Sequence, residues 1–167
     1  MGGEAWLGGK IEGYAPLVMP AAHALAQAIV DLQKHAPGLS DEELTARPNN
    51  APLILHLRHI AGSIDRLLTY SRGEQLNDAQ FAALKAETAD DSDFNAAELT
   101  RRAIGEINNA LEVLKNVDLD SLFEERFVGR QKLPTNVFGL LFHIAEHTTR
   151  HVGQVVTTAA IVRQRGE

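Results

Sequence analysis

In four long stretches of the chain, apolar residues recur at spacings of three and four rather than two, as expected of helices with one buried face. The first stretch, from about Tyr14 to His35, is rich in Ala, Leu, Val and Gln and ends before Pro37-Gly38, a helix stop. After Pro48-Asn49-Asn50, the residues Leu53, Leu57, Ile60, Ile64, Leu67 and Leu68 predict a second helix to about Arg72, closed by Gly73. Leu99, Ala103, Ile107, Ala110, Leu111 and Leu114 give a buried stripe to a third, over about Ala96 to Asn116. The fourth begins near Pro134 or Thr135 and runs to about Arg163, with Val137, Leu141, Ile144, Val152, Val155, Val156 and Ala159 on its apolar side.

The connections differ in character. Ser40 and Glu43 form an S-x-x-E capping box, so a brief helix is expected before Pro48. Residues 73–95 are acidic and Ala-rich, with one short helix around Asp78 to Glu87, and make the kind of long connection that often crowns a site. In residues 117–133, Leu122, Phe123, Phe127 and Val128 are apolar without helical period, and the segment reads as irregular. Residues 1–12 also read as irregular. Four long helices with little strand signal predict an all-α protein, a four-helix bundle with one or two long crossover connections. At 167 residues the whole chain, 1–167, fits a single domain with its own core.

Composition narrows the chemistry. The chain has no cysteine, which excludes disulfides, a thiolate metal site and a cysteine nucleophile of its own. Its net charge of −6 argues against nucleic acid as a partner, since phosphate affinity comes from clustered Lys and Arg. No apolar run approaches the length of a membrane span and the start has no signal-peptide pattern, so no membrane partner is expected and the protein reads as cytoplasmic. Acidic residues dominate 74–125 and basic ones 126–167, a contrast that can draw anions toward the histidine-rich end, or that simply marks a solvated acidic face.

The run from His147 to Gln154 carries the strongest chemical signal. His147 and His151 are four residues apart, one turn along a single helix face, where both imidazoles can reach one cation. At about 100° per residue, His143, His147 and His151 span about 80° at the edge of the core stripe, where side chains face an interhelical space open to water. Arg150 and Gln154 share that face. A third ligand can come from the second helix, from His56 or His59; periodicity places His56 slightly nearer the core. His143 is either an alternate ligand, an outer partner or polar lining. His23 and His35 read as ordinary core or surface residues. Ser63 lies near His59, but no Ser-His-Asp arrangement is legible.

Two segments, Leu57-Arg58-His59-Ile60-Ala61-Gly62-Ser63-Ile64-Asp65-Arg66 and Leu141-Phe142-His143-Ile144-Ala145-Glu146-His147-Thr148-Thr149-Arg150-His151-Val152-Gly153-Gln154, resemble the DinB-like metal-binding superfamily. That superfamily includes bacterial S-transferases using bacillithiol or mycothiol and mycothiol-dependent maleylpyruvate isomerases. The resemblance implies His59, His147 and His151 as metal ligands, an up-and-down variant of the four-helix bundle with a long crossover, and frequently a homodimer. Three imidazoles on a divalent ion, zinc or nickel, leave coordination positions open, as in catalytic sites. The implied activity is transfer of a low-molecular-weight thiol to a small-molecule electrophile. Hydrolysis by metal-bound water is the nearest alternative. A stress-related binding module without turnover, or a bundle whose histidines only line a polar cavity, are the non-enzymatic ones. Arg66 and Arg150 are the candidate grips for a substrate carboxylate, with Gln154 as a further polar contact.

Overall fold

The computed structural model describes residues 4–48, 51–89 and 95–165. Its elements in chain order are a 3-10 turn Ala5–Gly8, α1 Met19–His35, α2 Asp41–Thr45, α3 Leu53–Ser71, α4 Asp78–Ala86 and α5 Ala96–Asn116. A 3-10 turn Leu119–Ser121, strands β1 Glu125–Val128 and β2 Leu133–Asn136, and α6 Val137–Arg165 complete it. The protein is all-α with one small two-stranded sheet.

Helices α1, α3, α5 and α6 make the bundle. The extensive contacts are α3 with α6, α1 with α6, α3 with α5 and α1 with α5. Thus α1 lies diagonally across from α3, and α5 from α6, and the chain crosses the bundle on each diagonal connection. Leu25 and Leu32 of α1, Leu57, Ile60 and Ile64 of α3, Ile107 of α5 and Ile144 and Val155 of α6 meet in one buried core. These are the positions that the three-and-four spacing selects.

Local signals explain most boundaries. Ser40 accepts from Glu43 N and Glu43 Oε2 accepts from Ser40 N, the reciprocal cap of α2. Asn77 and Gln80 cap α4 in the same way. Gly73, at φ 79°, ends α3 in the left-handed region, with Gly73 N donating to Tyr70 O and Glu74 N to Thr69 O. Asn95 caps α5 by accepting from Glu98 N.

Two expectations are corrected. The first helix starts at Met19, not Tyr14, because a helix from Tyr14 would bury Pro20 in its interior, where it lacks the N–H for the ladder; from Met19, Pro20 sits harmlessly in the first turn. Part of the segment read as irregular is a hairpin, with Glu125 opposite Asn136 and Val128 opposite Leu133. It takes Pro134 and Thr135 into β2, so the last helix begins at Val137, capped by Asn136 Oδ1 accepting from Gly139 N. The hairpin is pinned to the bundle by Arg126 Nε, which donates to Ser71 O at the end of α3 at 2.8 Å. In the expected irregular N-terminal segment, Ala5–Gly8 form one 3-10 turn. Residues 90–94 of the expected long connection lie outside the described residues.

Candidate metal centre

The facing surfaces of α3 and α6 bring histidines together. One ring nitrogen from each of His59, His147 and His151 lies within 4.8 Å of the other two, and this is the one such group of three or more potential ligands among the described residues. His59 Nε2 and His147 Nε2 are 2.9 Å apart. The three rings sit at centroid distances of 5.1, 4.5 and 4.6 Å from one another. On α6 the four-residue spacing stacks His147 and His151 on one face, and α3 supplies His59 from the opposite wall.

Each ring is held through its other nitrogen. His59 Nδ1 is 2.7 Å from Glu87 Oε2. His151 Nδ1 is 3.0 Å from His56 Nδ1, which leaves Nε2 as its remaining nitrogen. His147 Nδ1 is 3.1 Å from Arg150 Nη2. An acceptor such as the Glu87 carboxylate fixes a ring for coordination, whereas the Arg150 guanidinium, which only donates, holds His147 with its proton on the inward Nε2 until an ion displaces it.

The electrostatics favour neutral imidazoles. Burial, reinforced by the neighbouring His59, pushes both His147 and His151 down to about 4. His56 is also lowered, by burial first and then by His59. Glu87 behaves oppositely: burial disfavours its charge, but hydrogen bonds from His59 and Arg66 outweigh that and hold the carboxyl below its ordinary range. Lone pairs on His147 and His151 are therefore available at neutral pH.

The remaining predicted residues fall at different depths. His56 is buried, as its position nearer the core stripe suggests, and meets the outer nitrogen of His151. His143 lies outside the convergent group; its Nδ1 is 2.6 Å from Glu146 Oε1. Arg66 is buried, and the carboxylate it grips is the protein's own Glu87, at 2.6 Å. Arg150 stands exposed at the rim, with Nε 2.9 Å from Glu146 Oε2. Gln154 is exposed one turn beyond His151.

Glu87 is the residue that sequence reading missed. It follows α4 in an acidic connection, and nothing in local spacing separates it from its acidic neighbours, because its partners are 21 and 28 residues away. Gly62 also belongs here: a Cβ at this position would collide with the Glu87 carboxylate and the Arg66 guanidinium.

The donor set marks the site better than any hollow does. A cavity of about 540 Å³ lies between α3, α4 and α5, behind Glu87, and one of about 570 Å³ between α1 and α6 under Trp6; none of the three histidines lines either. Around a tetrahedral ion at about 2.0–2.1 Å, adjacent nitrogens stand about 3.4 Å apart, inside the range these rings span. Three neutral imidazoles suit zinc or nickel, so the residues fit a divalent ion.

A helical bundle with three imidazoles converging from two facing helices has the frame of a metal-binding bundle protein. A sequence model of the DinB superfamily matches residues 24–155, which include all three histidines, and the chain belongs to that superfamily. No curated protein matches the chain. No helix among the described residues is long and apolar enough to cross a membrane.

Proposed function

We propose that the protein is a divalent-metal-dependent transferase acting on a small thiol and a small electrophile, with His59, His147 and His151 holding zinc or nickel. The observation that carries this reading is a convergent three-imidazole group with no fourth His, Cys, Asp or Glu completing it among the described residues. Three protein ligands leave room for an exogenous one, as catalytic sites do and closed structural sites do not. A divalent ion bound there supplies Lewis acidity that favours the thiolate form of a coordinated thiol.

The chain's own residues account for the rest. With no cysteine in the sequence, the thiol is a separate molecule. Depressed basicity keeps His147 and His151 unprotonated at pH 7, so ligand binding displaces no proton from them. Arg150 stands exposed at the rim on an i,i+4 pair with Glu146, a solvent-screened contact that a carboxylate on the thiol or the electrophile can replace. Gln154, four residues on, adds an amide on the same face of α6.

Metal content of untagged protein, measured by plasma mass spectrometry, tests the foundation. Near-stoichiometric zinc or nickel in wild type, lost in His147→Ala and His151→Ala, is the expected result; no uptake after incubation with either metal would overturn it. Consumption of an electrophile that requires an added thiol then tests the transferase. Turnover without thiol would move the assignment to hydrolysis, and metal binding with no turnover across thiol and ester panels would leave a binding module.

A further inference from the structure

The carboxylate at the back of His59 is built in with more care than a chance ion pair requires. Both Glu87 oxygens are engaged: Oε2 stands 2.7 Å from His59 Nδ1 and Oε1 2.6 Å from Arg66 Nη1. The Glu87 side chain is 8% exposed and that of Arg66 11%. A carboxylate this deeply placed needs a partner for its charge, and Arg66 supplies it.

The spacing on α3 makes the arrangement possible. His59, Gly62 and Arg66 follow one another at three and four residues, so they lie along one helix face. The middle position has no side chain, and that gap is where the Glu87 carboxylate rests, since a Cβ on Gly62 would strike it. Glu87 itself comes from the end of α4, in the connection that crosses from α3 to α5. Three residues of one helix thus form a cradle for a carboxylate delivered from another.

We infer that Glu87, clamped by Arg66 in the space left at Gly62, is a positioning residue for the metal centre; the inference rests on the proposed metal-binding role of His59. A carboxylate can only accept from His59 Nδ1, which places that ring's proton on Nδ1 and turns the Nε2 lone pair toward His147, 2.9 Å away. The same contact raises the donor strength of the imidazole and blocks ring rotation. Such outer carboxylates contribute about 10- to 100-fold in metal affinity.

Competition titration of zinc against a chromophoric chelator at pH 7.5 provides the test, on wild type, Glu87→Gln, Gly62→Ala and His59→Ala. Glu87→Gln is expected to weaken zinc binding by about 10- to 100-fold. Gly62→Ala is expected to weaken it in the same direction, even though alanine favours the helix over glycine. The Gly62 variant keeps the test valid if Glu87→Gln folds poorly. In cobalt-loaded protein, the visible d–d bands should shift in both variants, a change that loss of stability alone does not produce. Wild-type zinc affinity and unshifted bands in both variants, with binding lost in His59→Ala, would overturn the positioning role and leave the metal site standing. No zinc binding by wild type would overturn both.

Discussion

His56 Nδ1 lies 3.0 Å from His151 Nδ1, so two rings from different helices share one hydrogen bond, with one donating and the other accepting. If His151 binds an ion through Nε2, its own proton sits on Nδ1 and His56 is the acceptor. His56 is then a support, not a ligand. His56→Ala should retain about one metal per chain with affinity reduced no more than about 10-fold, whereas His151→Ala should lose the metal. Equilibrium dialysis with zinc separates the two; full loss in His56→Ala would make it a ligand.

Protonation sets a stability profile for the metal-free protein. The unfolded chain takes up protons on these histidines near pH 6.5, but folded His147 and His151 do so only near 4. Between those values the unfolded state binds more protons, so stability increases with pH across that window and falls as the pH drops through it. Thermal melts of chelator-treated protein at pH 7 and pH 4.5 should show this loss, and His147→Gln/His151→Gln should reduce it. A slope unchanged in the double variant would refute the assignment.

Arg150 opposes the metal it borders. A guanidinium only donates, so its 3.1 Å contact with His147 Nδ1 cannot coexist with a proton on that nitrogen, which coordination through Nε2 requires. Its positive charge also repels a cation. Arg150→Gln should therefore tighten zinc binding by about three- to tenfold at low salt and by less at high salt, while weakening use of a carboxylate-bearing substrate. Looser zinc binding in this variant would contradict the reasoning.

Two buried hydroxyls on α6, Thr148 Oγ1 and Thr158 Oγ1, have no hydrogen-bond partner among the described residues. Valine keeps the branched shape and removes the unsatisfied group. Thr148→Val and Thr158→Val should each stabilise the protein by about 1 kcal/mol, a rise of about 2–4 °C in Tm. Calorimetry at pH 7.5 measures this, with zinc affinity unchanged.

Core truncation sets the scale for comparison. Ile64 is fully buried in α3, two residues from Gly62 and so on the opposite side of the helix. Ile64→Ala should cost about 2–5 kcal/mol in urea unfolding, whereas Arg101→Ala, which breaks a solvent-exposed pair with Glu98, should leave the urea midpoint nearly unchanged.

The four long helices and the His147–His151 pair were legible in the sequence because both are local periodicities, set by 3.6 residues per turn and by residues at most four apart. The capping box at Ser40 and the stop at Gly73 were legible for the same reason. The hairpin was not: no residue of Glu125–Val128 or Leu133–Asn136 is buried, so the alternation that announces a strand has no core to impose it. Between His56 and His59, periodicity ranked burial correctly and the resemblance of the local motif pointed to His59, but the approach of α6 sets the atomic contacts, with His59 meeting His147 and His56 the outer nitrogen of His151. Glu87 belongs wholly to the tertiary structure. Its place beside His59 depends on how a 28-residue separation is closed by α4 folding back onto α3, a long-range packing event that no local pattern encodes.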